Sequence, residues 1–162
     1  MLGSPEGELT MQNLPKLLIF VLFAALPLSA LADAPTKDEV VATVKKAVAF
    51  YKENGRAKAL AEFNNKNGQF AKGEDYVDVH DLSGVCVAHP TSPEVVGTSR
   101  LEQKDLNGKY WIKDIIEETK KGTTSGWTGY VRKNPVSGRM QDKLAYWELH
   151  DGLIFKAGLY IN

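Results

Sequence analysis

The hydrophobic pattern of this chain changes from a helical period to a strand period near residue 75. A first helix is predicted to begin after Thr36, because Thr36 and Glu39 have the spacing of a capping box. Its apolar positions follow the helical period, and they are Val41, Val44, Val48 and Tyr51. Gly55 is expected to end this helix, and a second helix is predicted over residues 56–64.

The rest of the chain predicts an antiparallel sheet. Five strands are expected, over residues 76–80, 84–88, 126–132, 143–149 and 153–161. Short turns join the last three strands, so these should run antiparallel. A third helix is predicted over residues 110–120, after an irregular stretch at 91–108. Five strands with helices held to one side indicate an α+β domain.

Residues 1–32 have the layout of a secretory signal peptide. Lys16 precedes ten apolar residues at 17–26, and Ala30-Leu31-Ala32 forms a small-x-small end. The apolar run is shorter than the ~20 residues of a spanning helix, although an uncleaved membrane anchor is the alternative. Met11 is a second candidate for the start. We therefore expect a periplasmic or secreted domain of residues 33–162, without stable membrane insertion after cleavage.

Charge and motifs exclude several classes of function. The chain has 162 residues, 20 basic and 20 acidic, so a nucleic-acid surface built on bulk charge is not expected. The single cysteine, Cys86, excludes an internal disulfide, and its valine neighbours indicate a buried, inert thiol. The three histidines lack the spacing of a zinc enzyme, and no nucleophile elbow or phosphate loop is present. We predict no catalytic residue, metal site or cofactor.

Five motifs in order resemble the single Cache domain, the PAS-like extracytoplasmic sensor module of bacterial chemoreceptors and histidine kinases. They are residues 81–90 (DLSGVCVAHP), 105–109 (DLNGK), 125–130 (SGWTGY), 143–146 (KLAY) and 151–160 (DGLIFKAGLY). The resemblance covers roughly residues 36–161. It implies a long N-terminal helix packed on a five-stranded antiparallel sheet, with a helical insertion after the second strand.

Two features depart from the family. Its members usually continue into a transmembrane helix and a cytoplasmic output domain, so this chain looks like a free-standing form. Asp78 also interrupts a strand that is more apolar in relatives.

Two residues are candidates for holding a carboxylate. Lys143 opens an otherwise apolar strand, and its ammonium could act as a point charge. The resemblance supports this role, since single Cache domains commonly bind small carboxylates with a basic residue from this strand. His89, before Pro90 at a strand end, could donate from one ring nitrogen. The alternatives are a solvated strand-end lysine and a histidine that bonds to the backbone.

Aromatic rings are candidates for the pocket wall. Trp127 and Tyr130 lie in one strand, and Trp127 is preferred, although without a bulge the two rings point to opposite faces. Lys143 and Tyr146 are related in the same way, so Tyr146 should face the first helix if Lys143 faces the pocket. Tyr76 could line the wall beside Asp78 and His80.

The predicted function is therefore that of a sensor domain that binds a small organic acid and lacks its own output domain. The alternative is a protein–protein interaction module that acts with a membrane receptor or as a homodimer. An exposed apolar stripe on residues 40–51 would favour this alternative.

Overall fold

The computed structural model describes Gly3 and residues 34–161. Apart from Gly3, the predicted signal peptide and its cleavage site lie outside the described residues. None of the described helices is both long and apolar enough to span a membrane.

Two consecutive helices open the domain. Helix α1 spans Lys37–Asn54, and helix α2 spans Arg56–Phe63. The predicted capping box is confirmed: the Thr36 backbone N–H donates to Glu39 at 2.7 Å, and the Glu39 backbone N–H donates to the Thr36 hydroxyl at 3.3 Å. Gly55 separates the helices with a φ of 76°, a conformation that glycine adopts without a steric penalty.

A small hairpin precedes the main sheet. It pairs β1 (Ala71–Lys72) with β2 (Asp75–Tyr76). The sequence placed Tyr76 in the first strand of the main sheet, but that strand begins two residues later. Val77 instead donates its backbone N–H to Phe70, and this bond closes the hairpin.

The main sheet has five antiparallel strands in the order β4-β3-β7-β6-β5. The strands are β3 (Asp78–Asp81), β4 (Cys86–Ala88), β5 (Ser125–Lys133), β6 (Met140–His150) and β7 (Leu153–Ile161). The expected α+β, PAS-like architecture is confirmed. The last strand of the chain, β7, lies at the centre of the sheet, between β3 and β6.

The inserted segment between β4 and β5 contains two helical pieces. A short 3-10 helix spans Pro93–Val95, and helix α3 spans Trp111–Lys120. Asp105 fixes the turn that precedes α3. Its carboxylate accepts hydrogen bonds from the backbone N–H groups of Asn107, Lys109 and Val131. The last of these bonds fixes the insertion to β5.

The helices lie on both faces of the sheet, which differs from the expected one-sided arrangement. Helix α1 packs over β6 and β7 through Val40, Val44, Ala47, Val48 and Tyr51, together with Phe155 and Ala157 of the sheet. Helix α3 packs against Ile154, Ala145, Trp147 and Tyr130. Residues 154 and 155 point to opposite faces because strand side chains alternate. We call these two sides the α1 face and the α3 face.

Candidate functional site

A buried ion pair lies at the centre of the α3 face. Asp78 of β3 and Lys156 of β7 are direct cross-strand partners. The Lys156 Nζ lies 2.9 Å from both carboxylate oxygens of Asp78, and both side chains are 2–3 % exposed. Lys156 Nζ also donates to the Tyr130 hydroxyl at 2.9 Å. Three strands thus bring polar groups to one point. Strand β3 lies directly beside β7, and the Tyr130 side chain reaches Lys156 from β5.

These three side chains form part of the wall of a small cavity on the α3 face. The remaining residues come from β2, β3, β5, α3 and the segment after β4, and they are Tyr76, His80, His89, Val95, Arg100, Trp111 and Arg132. The cavity has a volume of about 10 Å³, about the room that one water needs. Tyr76 and Arg132 also line an adjoining cavity of about 580 Å³.

The cavity carries an excess of positive charge. Lys156, Arg132 and Arg100 are cationic, whereas Asp78 is the one carboxylate in its lining. Neither guanidinium has an ion-pair partner within residues 34–161. Burial lowers the pKa of Arg100, and the nearby positive charge of Arg132 lowers it further. Two half-buried guanidinium groups that repel each other form a favourable environment for an anion.

The environment of the cavity shifts the pKa values of its titratable side chains. Burial alone would raise the pKa of Asp78, but the adjacent Lys156 ammonium and the contact with His80 together outweigh it and hold that pKa well below its usual range. Burial lowers the pKa of His89 to about 3, and the positive charges of Arg132 and Lys156 act in the same direction. Burial also lowers the pKa of His80, whose Nδ1 lies 3.3 Å from Asp78 without completing a hydrogen bond. Both histidines are therefore neutral at pH 7.

The end of helix α2 positions His89. The side-chain carbonyl of Asn64 accepts the backbone N–H of His89 at 3.0 Å, and its amide donates to the Val87 carbonyl at 3.3 Å. A register shift between β3 and β4 leaves Val87 as an extra residue in the pairing. The strand end is thereby held where the His89 ring contacts Tyr76, with ring centroids 5.2 Å apart.

The structure brings three of the five predicted site residues into one cavity. His89, Tyr130 and Tyr76 all line it. Lys143 is on the same face of the sheet, but its Nζ lies over the Tyr76 ring rather than in the cavity wall. Trp127 points away from it, is 39 % exposed and packs on Tyr146. The alternation of β5 side chains places Tyr130 on the α3 face and Trp127 on the α1 face.

Sequence reasoning missed most of the charged residues of the cavity. Lys156 is the one charged residue in the run Leu153–Ile161, so it had the same signal as Lys143 in its own strand. Its pairing with Asp78 depends on the register between β3 and β7, which local pattern does not reveal. Arg132 and Arg100 lie at a strand end and in irregular chain, where a charged residue is ordinarily solvated.

Cys86 shows no sign of reactivity. Its thiol donates weakly to the Ala88 carbonyl at 3.5 Å, and burial raises its pKa to about 12. A thiol with such a pKa remains protonated and is a poor nucleophile at pH 7. Among residues 34–161, no group of three or more acidic, histidine or cysteine side chains could hold a metal ion.

Several solved structures of sensor domains have a fold similar to that of this chain. A crystal structure of a methyl-accepting chemotaxis protein from Vibrio parahaemolyticus RIMD 2210633 has a TM-score of 0.66 and 25 % identity, covering 78 % of this chain and 88 % of its own. The periplasmic sensor domain of a chemotaxis protein has a TM-score of 0.58 and 22 % identity, covering 77 % and 90 %. A Cache chemosensory domain described for carboxylic acid recognition has a TM-score of 0.60 and 21 % identity, covering 77 % and 88 %.

The sequence comparison agrees with the structural one. No curated protein matches the chain at a significant level. The family model described as Single Cache domain 2 matches residues 38–153, which is most of the chain. The chain therefore belongs to the Single Cache domain 2 family, whose members are sensor modules.

Proposed function

We propose that this domain is an exported sensor that binds a small carboxylate in the cavity of the α3 face. The observation that carries the proposal is the charge of the cavity, where Lys156, Arg132 and Arg100 outnumber the single carboxylate of Asp78. A second anion is needed to balance them. One of the structural relatives is described as a Cache domain that recognises a carboxylic acid, which supports the same ligand class.

Arg132 is the residue that we assign to the carboxylate. Lys156 already donates to Asp78 and Tyr130, so its hydrogen bonds are used within the protein. Arg132 has no ion-pair partner among the described residues and lines both the inner and the adjoining cavity. A planar guanidinium can hold a carboxylate through two parallel hydrogen bonds. His89, as a neutral ring, can donate a further one.

The size of the cavity limits the ligand. The inner cavity of about 10 Å³ has room for about one water-sized group, so a single carboxylate oxygen would enter it. Any remaining atoms would extend past Tyr76 and Arg132 into the adjoining cavity. Acetate and propionate are therefore suitable first probes, and their amides are matched uncharged controls.

Thermal denaturation and calorimetric titration with these four compounds test the proposal. A ligand at 100 times its Kd should add about 2.7 kcal/mol to the free energy of unfolding. Arg132→Gln should weaken carboxylate binding by about 10-fold to 100-fold, since charge-assisted hydrogen bonds contribute about 1.5–3 kcal/mol. Arg139→Gln is the control, because Arg139 is exposed and lies outside the lining of both cavities. Equal binding of acid and amide would contradict the proposal.

The alternative function is that of a protein–protein interaction module. Its expected apolar stripe lies on residues 40–51, and there the large apolar side chains Val40, Val44, Val48 and Tyr51 are buried against the sheet. The stripe is used inside the domain. We also propose that the ligand-bound domain has a protein partner, which is either a membrane receptor that receives the signal or a second copy of the chain.

A further inference from the structure

Lys143 is a fully buried cation that no hydrogen bond compensates. Its side chain is 1 % exposed, and its Nζ has no hydrogen-bond partner in the part of the chain that the structure describes. A buried ammonium in this condition is costly unless another interaction replaces water. The Nζ lies 3.7 Å from the centroid of the Tyr76 ring and 4.9 Å from that of Tyr160. Both distances are those of cation–π contacts, which strengthen when they are shielded from solvent.

The sheet provides room for this side chain at one glycine. A Cβ atom at Gly158 of β7 would lie 2.9 Å from the Cε of Lys143 and 2.6 Å from the carbonyl oxygen of Leu144. Gly158 and Lys143 lie on neighbouring strands, two positions apart in the register. The Lys143 stem therefore crosses the space that a side chain at residue 158 would fill, and its ammonium reaches the Tyr76 ring.

Tyr76 is the element that joins Lys143 to the cavity. Its ring lines the cavity and contacts His89. Its hydroxyl lies 3.3 Å from that of Tyr160, which donates to the Lys133 carbonyl at 2.9 Å. Since a phenol has one proton, Tyr76 must be the donor in its contact with Tyr160. The ring is thus held on its face by Lys143 and at its tip by Tyr160.

We propose that Lys143 is a positioning residue for the carboxylate site: it holds the Tyr76 ring in the cavity wall and does not touch the ligand. The proposal rests on the proposed function and changes the role expected for Lys143 from counter-charge to support. The counter-charge then comes from Arg132, with Lys156 behind it. A cation over the ring also withdraws electron density from it, which makes the phenol a stronger hydrogen-bond donor.

A double-mutant cycle between Lys143 and Tyr76 tests this role, with acetate and propionate as probes in calorimetric titration. Lys143→Met keeps the length of the side chain and removes its charge. In the otherwise unchanged protein it should weaken binding by about fivefold to thirtyfold, which corresponds to one desolvated cation–π contact. In a Tyr76→Leu background, where the ring is absent, the same change should alter affinity by less than about twofold, because a positioning residue then has nothing to position.

Lys46→Met is the matched control. The Lys46 Nζ lies 5.5 Å from the centroid of the Phe70 ring, and Phe70 belongs to the core on the α1 face. The same substitution at an exposed lysine–aromatic contact on this other face should leave carboxylate affinity unchanged. Lys143→Arg should retain most of the affinity, since a guanidinium also stacks on an aromatic face.

Three outcomes separate the hypotheses. An undiminished loss from Lys143→Met in the Tyr76→Leu background would show direct ligand contact or a bulk charge effect, and would overturn the positioning role. If Tyr76→Leu does not fold, Tyr76→Met supplies the ring-free background. Independently of that background, a failure of Lys143→Arg to retain carboxylate binding would overturn the positioning role. Absence of binding by either carboxylate to the unchanged protein would overturn both the proposed function and this inference.

Discussion

Asp78 and Lys156 face each other directly across β3 and β7, and form an ion pair of 2.9 Å that solvent barely reaches. The pair satisfies Lys156 but contributes little net stability, because removing two charges from water costs about as much as their attraction returns. Its structural consequence is a fixed cation at the floor of the cavity, which also holds the Tyr130 hydroxyl.

Removing one member of this pair should destabilise the domain strongly. Asp78→Asn leaves the Lys156 ammonium buried without a counter-charge, and we expect the free energy of unfolding to fall by about 3–5 kcal/mol. The double variant Asp78→Leu with Lys156→Met removes both charges and should recover most of that loss. Urea denaturation followed by circular dichroism measures both. A loss below about 1 kcal/mol for Asp78→Asn would contradict the assignment of a buried pair.

The domain should lose stability as the pH falls below about 6.5. An unfolded histidine binds its proton near that pH, whereas folded His89 binds it near pH 3 and the pKa of folded His80 is also lowered. The unfolded chain therefore binds more protons in between, and each histidine contributes a slope of up to about 1.4 kcal/mol per pH unit. Denaturation between pH 7 and 4.5 measures the slope before the usual range of Asp titration is reached.

The histidine responsible can be identified by substitution. His89→Gln should remove the contribution of His89 to this slope, which is up to about 1.4 kcal/mol per pH unit. Stability that stays constant from pH 7 to 4.5 would mean that neither cavity histidine is held neutral.

Gly158 should tolerate no side chain. Gly158→Ala places a Cβ 2.6 Å from the Leu144 carbonyl oxygen and 2.9 Å from the Ala145 Cα. Both are backbone atoms of a paired central strand, so relieving the overlap requires a displacement of the sheet backbone. We expect a loss of about 1–3 kcal/mol or more, the usual cost of overpacking. Gly129→Ala is the control in the neighbouring sheet region, since its Cβ would meet only the Lys143 carbonyl oxygen, at 4.0 Å. Thermal denaturation of both variants gives the comparison, and equal stability would contradict the close approach at Gly158.

The N-terminal segment should be removed on export. The apolar run at residues 17–26 and the Ala30-Leu31-Ala32 end predict cleavage before Asp33. Mass spectrometry of the processed protein from its native host should give a chain that starts at Asp33. A processed protein that still contains residues 17–26 would indicate a membrane anchor instead.

Local sequence signals determined most of the fold. The capping box at Thr36, the stop at Gly55 and the strand period after residue 75 each depend on neighbours within a few residues. The strands at 143–149 and 153–161 were therefore predicted close to their observed bounds, Met140–His150 and Leu153–Ile161. The hairpin at residues 71–76 was missed because strands of two residues carry no measurable period.

The site was decided by long-range pairing. Sequence alone identified Lys143 as a cation in an apolar strand, and Lys156 had the same local signal. The sheet order places β7 beside β3, so Lys156 meets Asp78, whereas Lys143 on β6 pairs with Tyr160 and Tyr130 and reaches the Tyr76 ring. Alternation along a strand is a property of the local backbone and can be found in a single sequence. Which side chains become neighbours depends on strand order and register, and these are set only when the whole core packs.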